Sequence, residues 1–164
     1  MKTKFKLIIT SLSAVLLAAC SSYELEEMPL DIQNPAYGTW TDTTTMQPKG
    51  YYITQLDLNS NGSFVLATHT YGAYTNQSTI DLSGYSEHYG NYVLSSRNIY
   101  FVSKQSVNWD SFTGGNAVTT VKDLELFKSC TYTVKNDTLE LTYITYPADA
   151  PVTTKQIFKK ATKQ

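Results

Sequence analysis

The chain predicts an all-β domain, an antiparallel up-and-down barrel of about eight to ten strands, with a β-sandwich as the alternative. Three observations carry this expectation. Tyrosine and threonine dominate the chain after residue 35, with 13 Tyr overall, while Ala and Leu are sparse there; aromatic and β-branched side chains suit a pleated surface. Runs of alternating apolar and polar residues succeed one another, with the period of a half-buried strand. Short turn signals separate several of these runs, and the near-absence of long connections favours strands paired with their sequence neighbours. A closed barrel also removes the unpaired edges that a sandwich must protect.

In order, the runs are 37–42, 51–58, 63–71, 89–94, 99–107, 131–135, 138–146 and 153–159. Asn61-Gly62 is the strongest hairpin signal, because a tight turn with φ > 0 suits those two residues. Ser95-Ser96-Arg97-Asn98 and Lys135-Asn136-Asp137 are similar punctuation. Segment 121–128 is open to two readings: Val121, Leu124 and Phe127 fit one helical face, while Leu124 and Leu126 fit a strand.

Residues 1–19 are set aside as a targeting segment. Lys2, Lys4 and Lys6 form a basic start, and 7–17 is an apolar stretch, too short for a helix across a bilayer, which needs roughly 20 apolar residues. Ala18 and Ala19 are small, as in any secretory signal, and Cys20 follows them directly. Leu17-Ala18-Ala19-Cys20 resembles the lipobox of bacterial lipoproteins. That resemblance implies a diacylglyceryl group on the Cys20 thiol, cleavage before Cys20, and acylation of the new amino terminus. The membrane is then a partner through this lipid, held durably at about 0.8 kcal/mol per buried CH₂. Ser21, rather than Asp, resembles lipoproteins forwarded to the outer membrane of the cell envelope. The bland alternative is an ordinary secreted chain with a chance cysteine. Residues 20–35 read as a lipidated tether and 36–164 as the β domain.

Charge narrows the function classes. Without Lys2, Lys4 and Lys6, the 13 basic residues fall to 10 against 14 acidic ones. Four of those acids, Glu24, Glu26, Glu27 and Asp31, lie in the tether, so the domain balances 10 against 10. A neutral domain argues against nucleic acid, which needs a concentrated basic face. It leaves the lipid, not electrostatics, as the anchor. Once Cys20 is acylated, Cys130 is the only remaining thiol, so no internal disulfide can form. Its place in the alternating run 130–134 reads as a small buried hydrophobe.

The constellations that would carry chemistry are weak. Asp57-x-Asn59-x-Asn61-Gly62 matches the opening of a calcium loop, yet the twelfth position is Thr68 rather than an acid. His69 and His88, the two histidines, could meet Glu87 around zinc, but without the short spacing of a zinc motif no metal is expected. No Gly-x-Ser-x-Gly elbow occurs and the acids are scattered singly, so neither a serine hydrolase nor a glycosidase is indicated. No catalytic residue and no cofactor follow.

Two polar stretches are candidate contacts, since loops on rigid scaffolds carry function. The connection 106–116 holds Trp109 and Phe112, which either meet a ligand at the barrel mouth or fold back over the core. The stretch 71–77 holds Tyr71 and Tyr74 in a composition typical of recognition surfaces.

Gly38-Thr39-Trp40 opens the first run and resembles the Gly-x-Trp signature at the start of lipocalins. The hairpin 56–64, the pair 89–93 with 99–101, the pair 132–134 with 138–142, and the terminal Phe158-Lys159 resemble the small bacterial lipocalin-like domains. The similarity covers roughly 37–160, in pattern more than in identities. It implies that Gly38 and Trp40 are a structural signature, the tryptophan plugging the closed end beside a basic side chain of a late strand. Lys159 is the nearest equivalent of that basic residue. It also implies a small apolar ligand inside the barrel, bound without catalysis. The rival expectation is an envelope interaction or assembly lipoprotein, with a filled core and an exposed aromatic patch that binds a protein or glycan. An enzyme would require His69, His88 or Cys130 to converge with acids in one pocket.

Overall fold

The structure is a computed structural model and describes residues 34–45, 50–72, 80–111 and 115–162. It is all-β. The strands are β1 (Gly38–Thr45), β2 (Gly50–Leu58), β3 (Ser63–Gly72), β4 (Asp81–Leu94), β5 (Ile99–Asp110), β6 (Val118–Leu126), β7 (Thr131–Lys135), β8 (Thr138–Thr145) and β9 (Val152–Lys160). Their spatial order is β6-β5-β4-β3-β2-β1-β9-β8-β7, every pair antiparallel. Two up-and-down meanders, β1–β6 and β7–β9, thus join where β9 pairs with β1. The sheet curls into a half-barrel.

Among the described residues, hydrogen bonds join the two ends of this sheet at the packed end. Asn98 bridges Thr131, Ile99 N donates to Cys130 O at 3.1 Å, and Tyr132 N donates to Arg97 O at 3.0 Å. Phe127 completes the closure with its ring. It lies 5.4 Å from Phe101 and 4.6 Å from Tyr143, between the two meanders.

Turn chemistry fixes the register. Between β2 and β3, Gly62 N donates to Asn59 O and Asn59 N to Ser63 O, both at 3.0 Å. Gly62 alone takes a positive φ, +80°. This is a type I turn closed by a glycine bulge, rather than a two-residue turn with both centres left-handed. That second geometry appears instead between β7 and β8, where Asn136 and Asp137 have φ of 48° and 54°.

The core occupies one face of the sheet. Trp40, Leu56, Phe64, Ile99, Phe101, Leu139, Leu141 and Phe158 are all essentially inaccessible, each aliphatic or Phe side chain contributing about 1.5–3 kcal/mol by leaving water. Cys130 belongs to this cluster. Trp40 sits at the junction of the meanders, opposite Leu56 on β2 and Lys160 on β9, and its Nε1 donates to Ala36 O at 2.8 Å.

Two elements differ from the sequence expectation, and a third, segment 121–128, takes the strand of its two open readings. The basic side chain on Trp40 is Lys160, its Nζ 5.1 Å from the ring, whereas Lys159 points to the opposite face and donates to Thr138 Oγ1 at 2.8 Å. Adjacent strand residues alternate between faces, so a one-residue displacement decides which lysine reaches the tryptophan. Segment 121–128 is mostly strand, as β6. Finally, β4 begins at Asp81 and β5 runs to Asp110, well beyond runs 89–94 and 99–107. No residue of their outer halves is fully buried on either face, so they carry no apolar alternation to read.

Candidate functional site

Two surfaces of the sheet lie beyond the core. On the concave face, the register lines up Thr54, Thr68, Ser86 and Asn108 across β2 to β5. Thr54 and Thr68 hydroxyls meet at 3.3 Å, and Ser86 Oγ donates to Asn108 Oδ1 at 2.6 Å. Across the meander junction, Tyr143 OH donates to Gln156 Oε1 and Gln156 Nε2 donates to Asp42 Oδ2, both at 3.3 Å. Asp42 stands opposite Thr54. A belt of polar side chains therefore rings the concave face directly above the core.

His88 lies on this same face. Ser103, almost fully buried, holds its hydroxyl 3.1 Å from Gln105 O and 3.3 Å from His88 Nδ1, so the imidazole and the Gln105 carbonyl share one hydroxyl. Burial lowers the His88 pKa below the ordinary 6.5.

The opposite, outer face is aromatic. Ile53, His69, Tyr85 and Trp109 stand side by side on β2, β3, β4 and β5, a row spanning about 14 Å at the usual strand spacing. The Tyr85 and Trp109 rings are 5.8 Å apart at 20°, and His69 is 6.0 Å from Tyr85. A second stack, Tyr51 on Tyr71 at 4.9 Å and 18°, adjoins this row. Its inner flank is polar: His69 Nε2 lies 3.8 Å from Glu87 Oε1, and Tyr89 OH donates to the other Glu87 oxygen. That hydrogen bond, with some burial and the carboxylate charge, raises the Tyr89 pKa. Trp109 Nε1 donates to Gly115 O at 2.9 Å, which fixes the indole at the end of the row.

Of the candidate contacts, Tyr71 and Trp109 share this outer face, two strands apart. Trp109 belongs to β5 and neither covers the core nor lines the concave face. Tyr74, Phe112 and Cys20, the expected lipidation residue, lie outside the described residues. His69 and Glu87 come together, but His88 projects from the other side of β4, so the three do not converge. Among the described residues no group of three His, Cys, Asp or Glu gathers closely enough to hold a metal ion. Cys130 is 2% exposed and burial pushes its thiol up to about 12. Sequence reasoning did not single out Tyr51 or Tyr85. Tyr51 shares the odd-numbered face of its run with Ile53, a signal that was present, whereas Tyr85 lies in a polar segment with none.

Comparison with protein-family models, with curated proteins and with solved structures finds no match to this chain.

Proposed function

We propose that this chain is a lipid-anchored, non-catalytic binding module of the bacterial envelope, which engages another envelope macromolecule, a protein or a glycan, through the outer face of β2–β5. The observation that carries this reading is the ordered row of Tyr51, Tyr71, His69, Tyr85 and Trp109 on the side of the sheet away from the core. Aromatic side chains there combine large contact area with few rotatable bonds, so little entropy is lost on binding. The concave face favours this reading over a small apolar cargo. Its packed end is filled by side chains, and above them the polar belt would lose water to an apolar ligand without compensation. The anchor rests on the lipobox resemblance around Cys20.

The test compares two variants of the full chain in cross-linked capture from native membranes. Tyr85→Ser with Trp109→Ser strips the outer row, and Thr68→Leu with Ser86→Leu fills the concave face. Loss of the captured species with the first pair and retention with the second is the expected outcome. The reverse pattern would overturn the reading and restore an interior ligand. Retention of capture after glycan removal identifies the partner as protein.

A further inference from the structure

The described chain reaches the barrel through a groove. Asn34 Oδ1 accepts from Ala36 N at 3.0 Å, Asn34 O accepts from Tyr37 N at 3.1 Å, and the buried Ala36 holds the Trp40 indole through its carbonyl. This turn fixes the direction of approach. Pro35 forms one wall of an open groove of about 620 Å³, and the other walls are Arg97 and its neighbour on the β4–β5 turn and residues 131–134 of β7. β7 ends the sheet order. Tyr132 N already points away from β8 to Arg97 O, and the antiparallel pattern sends the N–H and C=O of Val134 to that same side. The groove therefore offers a backbone edge, two half-buried apolar side chains (Tyr132 and Val134) and the guanidinium of Arg97. Among the described residues no carboxylate pairs with that guanidinium.

The residues just before this turn supply the complement. Glu24, Glu26, Glu27 and Asp31 are interspersed with Leu25, Met28, Leu30 and Ile32. We propose that this acidic segment, residues 24–33, docks back on its own domain along the outer edge of β7 at Val134, beyond the Tyr132 N–H that Arg97 O already holds, with its carboxylates at Arg97. Reach is ample: ten residues extend to roughly 33 Å, against about 17 Å for a five-residue strand. Main-chain hydrogen bonds to β7 supply affinity and alternate side chains supply fit, as when a peptide adds a strand to a sheet edge. Leu30 and Ile32 share one face of such a strand, toward Tyr132 and Val134, and Asp31 the other. Docking covers an edge otherwise open to other chains and draws the domain toward an anchor at Cys20.

Hydrogen exchange on the full chain purified from membranes in detergent tests this. Glu24→Gln, Glu26→Gln, Glu27→Gln and Asp31→Asn together remove the charge without touching any described strand. Exchange across 131–135 should accelerate several-fold, with β2 and β3 unchanged as the internal control. Arg97→Glu should reproduce the effect, and adding Asp31→Lys should restore protection. Identical exchange at 131–135 in the native and neutralised chains would overturn the proposal. So would protection that rises with protein concentration, which would place a second copy's segment on the edge.

Discussion

Trp40 meets three partners at once: a buried apolar pocket, the carbonyl of Ala36, and the ammonium of Lys160 above its ring. Their weights differ. Trp40→Ala should cost about 3–5 kcal/mol in urea unfolding, through the cavity it leaves. Trp40→Phe should cost less, because the ring still fills much of the pocket, and its remaining cost comes chiefly from the donor that Ala36 O loses. Lys160→Met should cost no more than about 1 kcal/mol, since the lysine is exposed. A Lys160 effect as large as that of Trp40 would mean the cation, not the burial, holds the junction of the meanders. His88 sets part of the pH response. With its folded pKa below 6.5, the unfolded chain binds the proton first on acidification. His88 therefore leaves stability unchanged above that value, lowers it as pH falls below, and holds that cost constant once the folded imidazole is also protonated. His88→Gln should flatten this part of the curve, read as urea midpoints at about pH 7.5 and about pH 5. At Cys130 the raised thiol pKa, to about 12, predicts no alkylation of the folded chain at mildly alkaline pH. Labelling should track unfolding instead.

Among the elements, the β4–β5 pair and the β7–β8 turn make opposite predictions about glycine. A Cβ on Gly90 would lie 2.0 Å from Val102 O and 2.9 Å from Ser103 Cα, at the point where the register shifts. Gly90→Ala should cost about 1–3 kcal/mol as the two backbones separate. At the other turn, Asp137 holds a left-handed conformation that costs a residue with a Cβ roughly 1–2 kcal/mol. Its carbonyl, which accepts from Lys160 N at 2.9 Å, is backbone and survives replacement. Asp137→Gly should therefore stabilise by up to about 1 kcal/mol after the entropy lost by glycine is counted; thermal unfolding of both variants checks the signs. These same elements explain what was legible in the chain. Strands that bury one face, such as β2 with Leu56 and Leu58 inward, announce themselves by alternation. The outer half of β4 buries neither face, so Tyr85 and its place in the aromatic row emerge only from pairing with His69 and Trp109. Lys160 was missed for a related reason: pattern locates a strand to within a residue, and one residue reverses the face.

At the scale of the molecule, the half-barrel leaves two strands at its ends, and they are protected differently. β7 is short and lies beside the groove at Pro35. β6 is long and almost wholly exposed, with Val118, Val121 and Leu124 among its most accessible apolar residues. Such a strand invites pairing with another chain unless something prevents it. Here Lys122 and Asp123 occupy its centre, Asp123 accepts from Lys104 at 2.7 Å, and the register with β5 shifts beside them, between Ser103 and Gln105. An exposed ion pair of this kind adds little to stability, so its consequence is the charge it keeps on the edge. Lys122→Val with Asp123→Val should leave the unfolding midpoint nearly unchanged and convert β6 into a continuous apolar edge. The variant should then show a mass by light scattering that rises with concentration, relative to the parent chain. If its mass matches the parent at every concentration, the bulge alone turns the edge away and the charges at 122 and 123 are incidental.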